Sequence, residues 1–305
     1  MPLNPDTIRA TITWHRGEHT NWYPTKQQLK EPRALESYFL KGWLPPRPFI
    51  AKSTPVMAVG SCFASHISGY LLKRGFTLVG FQSQHHDWGK CFVVSHSSGM
   101  NTTFAMRQQF EWALEGRTYE EDLWFDEKKT LQKATEEVRL ATRDLILASR
   151  VFVFTLGLSE IWRNRETGGV FWRAIPQDCF DPKKHYFEVS SVADNTENLE
   201  VLYRLIRKHI PESKVILTLS PVPLVATFRN KGCVGASEVS KAILRVAIDK
   251  VYKEHEGAGH LFYWPSYEII KHFFSDPYEE DNRHPRASCL DTIMKLFEKH
   301  YTTGG

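Results

Sequence analysis

From Val56 onward the chain alternates short apolar runs with longer stretches whose apolar residues recur every three to four positions. The runs Val56–Val59, Thr77–Phe81, Val151–Leu156, Lys214–Leu219 and His260–Tyr263 are rich in β-branched and aromatic residues and read as strands. Between them, Ala64–Arg74, Thr102–Leu114, Leu131–Ser149, Asn195–His209, Glu238–His255 and Pro285–His300 carry the helical period. In Leu131–Ser149, for instance, Val138, Leu145 and Ile146 share one face, while Glu136, Arg139 and Arg143 point away from it. Strands that alternate with helices build βαβ units, and these give a mainly parallel sheet covered on both faces. The expected fold is therefore α/β, a three-layer α/β/α sandwich around a five-stranded sheet.

Two segments break this rhythm. Arg117–Thr130 is charged and aperiodic, and Asn164–Ser190 contains an Arg-Glu-Thr-Gly-Gly turn and Pro176, which suggests a hairpin excursion above the sheet. Both are expected to roof the crevice at the strand ends. Residues 1–50 differ in kind: they hold seven of the 16 prolines, with Trp14, Trp22, Tyr23 and Trp43 interspersed. They read as an irregular arm anchored by aromatics on a domain spanning 51–305, and the same arm packed in trans would make a homodimer.

Composition removes several function classes. The 305 residues carry 39 basic and 35 acidic side chains, well mixed, for a net charge of +4 without a polybasic run. Nothing there recommends a nucleic acid or an anionic membrane as partner. The longest apolar stretch, within Val151–Leu158, falls far short of the roughly 20 residues that span a bilayer. Met1–Arg9 lacks the apolar core of a secretory signal. The five cysteines (Cys62, Cys91, Cys179, Cys233, Cys289) are odd in number and scattered, which argues against a disulfide framework or a zinc knuckle. A reduced, cytoplasmic protein with no metal and no resident cofactor is the expectation.

Candidate chemistry is sought where an open α/β sheet binds ligands, beyond the carboxyl ends of its strands. After the first strand comes Gly60-Ser61-Cys62-Phe63-Ala64, a tight turn into a helix whose free N–H groups favour a thiolate or an oxyanion. Gly157-Leu158-Ser159-Glu160 follows the third run, and Ser220-Pro221-Val222-Pro223 the fourth. Before the last helix, Asp281-Asn282-Arg283-His284 sets an acid and a base three residues apart on a loop. Each piece alone has an ordinary reading as a cap, a turn or a solvated loop; their conjunction at strand ends is what points to a site.

The turn Gly60-Ser61-Cys62-Phe63-Ala64 resembles the name motif of the GSCFA family. Met100-Asn101-Thr102-Thr103-Phe104, Phe154-Thr155-Leu156-Gly157-Leu158-Ser159-Glu160-Ile161-Trp162, Leu219-Ser220-Pro221-Val222-Pro223-Leu224, Ser240-Lys241-Ala242-Ile243-Leu244-Arg245 and Pro265-Ser266-Tyr267-Glu268 are similar to that family too. The likeness runs from about Val56 to Leu296. It implies kinship with the SGNH (GDSL) esterases and acyltransferases, whose sheet is flavodoxin-like and whose blocks are a Gly-Asp-Ser turn, an isolated glycine, a Gly-x-Asn-Asp turn and an Asp-x-x-His loop.

In that register Asp281-x-x-His284 fits unchanged, the superfamily serine falls on Cys62, its aspartate on Ser61, and its oxyanion asparagine on Ser159. The resemblance thus implies an acyl-transfer enzyme, esterase or O-acyltransferase, with Cys62 as nucleophile and Ser61 as the reserve. His284 would be the base and Asp281 its orienting acid, with His66, one turn beyond Cys62, as the alternative base. Oxyanion and substrate groups would come from Gly60 and the Cys62 N–H, Asn101, Gly157, Ser159, Glu160 and Trp162, with Gly99 as the isolated glycine and Arg163 at the rim. The substrate would be a small polar hydroxyl compound such as a carbohydrate, with acetyl-CoA or another acyl donor as co-substrate. Two other readings stay open: a catalytically silent binding domain, and a metal-dependent phosphoesterase using Asp281, His284 and Glu160, disfavoured because no ligand cluster accompanies them.

Overall fold

The computed structural model describes residues 15, 17–80, 102–119, 135–172 and 175–303. The chain divides into two compact units, Met1–Gly42 and Trp43–Gly305. The described part of the first carries a 3₁₀ turn, Gln28–Lys30, and a π turn, Glu36–Leu40.

The second unit holds a four-stranded parallel sheet. Its strands are β1 (Val56–Gly60), β2 (Val151–Leu156), β5 (Lys214–Leu219) and β6 (Leu261–Trp264), in the order β1-β2-β5-β6. Every residue of β1, β2 and β6 is buried, as a sheet covered on both faces requires. Register runs without a break, from Val56 opposite Val151 to Gly60 opposite Thr155, and from Val151 opposite Lys214 to Leu156 opposite Leu219.

The expected fifth strand, Thr77–Phe81, is not a strand among the described residues. Leu78 makes a single parallel bridge to Val56, held by the Val56 N–H on Thr77 O (3.0 Å) and the Val79 N–H on Val56 O (2.8 Å). The correction is one of extent: the pairing takes the outer position beside β1, where a flavodoxin-like 2-1-3-4-5 order puts its second strand.

Helices α1 (Cys62–Lys73), α2 (Thr103–Glu115), α3 (Glu136–Ala148), α4 (Val192–His209), α5 (Cys233–His255), α6 (Ser266–Phe273) and α7 (Ala287–Tyr301) surround the sheet. Side-chain N-caps start four of them: Ser61, Thr102, Thr135 and Ser191, each worth about 1 kcal/mol. The Asn164–Ser190 excursion is a hairpin that begins earlier than expected, with β3 (Glu160–Asn164) antiparallel to β4 (His185–Val189). Helix α6 was not expected, and most of the charged insert at 117–130 lies outside the described residues. Trp43 and Phe49, placed by sequence in the arm, belong to the second unit. Trp43 packs against Tyr252 and Tyr263, and Phe49 stacks on Phe262 with centroids 4.9 Å apart. No helix among the described residues is long and apolar enough to cross a membrane.

Gly60 ends β1 with φ +126, and a Cβ there would lie 2.2 Å from the Thr155 carbonyl oxygen. The close approach lets the Ser61 N–H reach Thr155 O (3.1 Å) and Thr155 Oγ1 (2.8 Å). Gly60→Ala combines backbone strain with a clash against main chain. We expect it to cost about 3 kcal/mol or more, read as a Tm lower by several degrees in calorimetry. An unchanged Tm would refute the close approach.

Candidate active site

The four parallel strands deliver their carboxyl ends to one edge, and β1 hands over to α1 there through Ser61. That residue is 5% exposed and its hydroxyl is spent inside the protein. It accepts from the Phe63 N–H (3.3 Å), donates to Ser220 Oγ (2.9 Å) and lies 3.0 Å from Thr155 Oγ1. Ser61 is thus an N-cap that knits the ends of β1, β2 and β5 together. The next residue, Cys62, is the one that opens: its side chain is half-buried and free of disulfide.

Burial pushes the Cys62 thiol up from its ordinary value. Arg283, the Cys62 N–H, Lys241 and the Phe63 N–H all act in the opposite direction. The thiol therefore sits at a helix N-terminus among donors and cations that stabilise its anion, without being ionised outright in the substrate-free state. Lys241, on α5, is 2% exposed and donates from Nζ to the Gly157 carbonyl at 3.2 Å. Burial lowers it to about 7, offset in part by the Cys62 and Glu238 charges.

The Asp281–His284 loop is self-bracing. Asp281 Oδ1 accepts the N–H groups of Arg283 and His284 at 3.0 Å each, and its Oδ2 lies 2.5 Å from His284 Nδ1. Asn282 takes φ 54 to close the turn, a conformation asparagine tolerates better than most residues. The His284 N–H, the His284 imidazole and the Arg283 N–H hold the Asp281 carboxyl down at about 2. An ionised carboxylate only accepts, so Nδ1 carries a proton, and in the neutral imidazole the lone pair is then on Nε2, available to a substrate. Arg283 anchors the loop by donating from Nη2 to Pro223 O at 3.2 Å. The loop meets α1 electrostatically: Arg283 acts on Cys62, and burial together with His284 lowers His66.

The remaining sequence candidates scatter. Gly157 is present as the acceptor for Lys241. Ser159 is fully buried, its N–H donated to Ser240 Oγ (2.8 Å) and its hydroxyl to the same atom (3.2 Å). Its amide is therefore not a free oxyanion donor, and the expectation drawn from the asparagine register needs correcting on that point. Glu160 accepts from Thr227 Oγ1 at 2.7 Å, and Trp162 meets Phe180, Phe187 and Phe228 edge-on. Both line an apolar recess of about 180 Å³ that contains neither Cys62 nor His284. Arg163 pairs with Glu188 at 2.7 Å, across the two strands of the hairpin. Asn101 and Gly99 lie outside the described residues.

A family model described as the GSCFA family matches residues 55–297. The chain belongs to the GSCFA family. No curated protein matches it. Among solved structures, it is similar to a carbohydrate esterase family 3 protein from Talaromyces cellulolyticus at 13% identity, covering 81% of this chain and 95% of that one, with a TM-score of 0.39. A Clostridium thermocellum family 3 carbohydrate esterase gives 12% identity, 82% and 95% coverage and a TM-score of 0.38. A Corynascus thermopiles (Myceliophthora fergusii) carbohydrate esterase family 2 enzyme with its carbohydrate-binding domain gives 16%, 83% and 66%, and a TM-score of 0.34. Superpositions this loose transfer no residue roles, so the chemistry of this GSCFA protein rests on its own side chains.

Ser266 and Glu268, both in the Pro265–Glu268 block, make bonds that hold the fold together. Ser266 bonds to Leu219 O (2.9 Å) and Thr218 Oγ1 (2.7 Å), tying α6 to the end of β5. Glu268 binds Arg245 Nε (2.8 Å) and the Tyr263 hydroxyl (2.7 Å). Lys241 was missed as a site residue, although the sequence carried a signal. On the helical period it shares the face of Ser237, Leu244, Ile248 and Val251, so a lysine was being buried. Among the described residues no group of His, Cys, Asp and Glu side chains could hold a metal ion.

Proposed function

We propose that this GSCFA protein is an acyl-transfer enzyme working through a thioester on Cys62. The observation that carries the reading is the contrast at the β1–α1 turn. The Ser61 hydroxyl is buried and committed to Phe63, Ser220 and Thr155, whereas the half-buried Cys62 thiol lies in the field of Arg283 and Lys241. In the first half-reaction the Cys62 proton goes to His284 Nε2, and the sulfur attacks the acyl carbon. The tetrahedral oxyanion collapses, the C–O or C–S bond to the leaving group breaks, and the imidazolium protonates that group. In the second half, His284 takes a proton from water or an acceptor hydroxyl, which displaces the thiol. The Cys62 N–H at the first turn of α1 is the oxyanion donor of this scheme. Asp281 holds the imidazole in the tautomer that leaves Nε2 free. Acceptor and donor classes follow the family resemblance: a carbohydrate or other small polar hydroxyl, with acetyl-CoA or a simple ester as donor.

Intact-mass spectrometry after brief exposure to an activated acetate ester, and separately to acetyl-CoA, tests the reading. We expect one acetyl adduct on the wild type that is retained in Ser61→Ala and lost in Cys62→Ala. An adduct lost with Ser61→Ala while the folded protein is intact by circular dichroism would restore a serine mechanism. Failure of every form to label, with either donor, would favour a binding domain whose thiol is held inert by its burial.

A further inference from the structure

A cavity of about 470 Å³ opens beside this site, bounded by the Pro221–Leu224 segment, the first turns of α5, helix α6 and the loop that carries Asp281. Its wall contains three cations, Lys241, Lys271 and Arg283, and two carboxylates, Glu238 and Asp281. Both carboxylates are already engaged. Glu238 pairs with Lys271 and accepts from the Tyr267 hydroxyl, and Asp281 is held by His284. Lys241 and Arg283 are left with neutral partners only: Nζ donates to Gly157 O, and Nη2 to Pro223 O. The Arg283 Nε–H is buried and finds no acceptor among the described residues. Among the described residues no carboxylate pairs with either cation. A desolvated ammonium beside a guanidinium with an unmet donor is costly in an empty site, and both deficits are removed together by one anion. The Cys62 thiol lies in the field of both groups but is not a wall residue of the cavity, so it does not fill this volume. Tyr267, Phe274 and Tyr278 add aromatic surface suited to a ring or a methylene stem.

We propose that this cavity binds a small anionic molecule, with the carboxylate or phosphate of the substrate clamped between Lys241 and Arg283 and its uncharged portion against the aromatic wall. As an assignment of substrate class the proposal rests on the acyl-transfer reading, because the clamp lies beside Cys62. As a binding site it does not. Arginine supplies a planar fork and lysine a point charge, a pairing that suits either anion.

Calorimetric titration of the wild type at low ionic strength with succinate, with inorganic phosphate and with neutral succinamide tests it without requiring any turnover. Saturable binding of one or both anions and none of succinamide is expected. Lys241→Met and Arg283→Met should each weaken binding roughly tenfold or more, and Lys183→Met, on the hairpin, should leave it unchanged. Preference between succinate and phosphate tells the carboxylate class from the phosphate class. Should the variants bind as the wild type does, the result is an adventitious ion only and the proposal falls. It falls equally if neither anion saturates. Anion binding without acylation of Cys62 would leave the cavity standing and remove the enzyme, while acylation without anion binding would do the reverse.

Discussion

Alanine at His284 is expected to lower kcat/KM for an activated ester by about 10³. The same change at His66 should cost less than about tenfold. The two histidines compete for the role of base because His66 lies on α1 one turn beyond Cys62 and feels the His284 charge. What separates them is the second partner. His284 Nδ1 is fixed by a carboxylate that stays ionised down to about pH 2, so its tautomer and ring orientation are set over the whole working range. Among the described residues His66 has no such partner, and burial followed by the His284 charge biases it toward the neutral form. Asp281→Asn should then fall between the two, at about 10²-fold, because the amide still occupies the turn but no longer dictates which imidazole nitrogen carries the proton. Steady-state rates of the three variants on one ester decide the matter. If His66→Ala proves as damaging as His284→Ala, the Asp281–His284 pair is a braced loop and nothing more.

The parts of this site that were legible in the sequence are those where chemistry and backbone coincide within a few residues. A glycine that must take positive φ, a cap and a thiol fit into Gly60-Ser61-Cys62, and an acid that accepts its own loop's N–H groups fits into Asp281-x-x-His284. Strand runs such as Val151–Leu156 were legible because a sheet buried on both faces needs an unbroken apolar run. Other features depend on partners distant in sequence. Ser159 resembles an oxyanion residue by register, yet Ser240, 81 positions later, takes its amide. Thr77–Phe81 has strand composition, but at the outer edge of the sheet, among the described residues, only Leu78 bridges to Val56. Ser61 and Cys62 are adjacent, and family register alone prefers Cys62 and keeps Ser61 in reserve. The convergence of Thr155 and Ser220 on the serine hydroxyl is a separate distinction, and it exists only once β2 and β5 are laid beside β1.

Lys241 is the place where stability and the proposed chemistry pull in opposite directions, and its effect should be measurable as a pH-dependent stability difference. In the unfolded chain a lysine titrates near 10.4, whereas here burial brings it to about 7. Below pH 7 both states hold the proton, and the folded protein bears the full cost of a buried ammonium. Between about 7 and 10 the unfolded state binds the proton and the folded state does not, so stability rises with pH across that window. Above it neither is charged and the penalty is gone. Lys241→Met keeps the stem and removes the charge, so at pH 6 it should be more stable than wild type by about 2–4 kcal/mol, an advantage that vanishes toward pH 10. Urea denaturation of the pair at pH 6 and pH 9.5 reads the difference, and an offset equal at both values would mean that Lys241 finds a counter-charge in the folded state. A residue that weakens its own fold near neutral pH is retained where it serves something other than the fold. Lys241 lines the proposed anion cavity and interacts electrostatically with Cys62, and each of these is such a service.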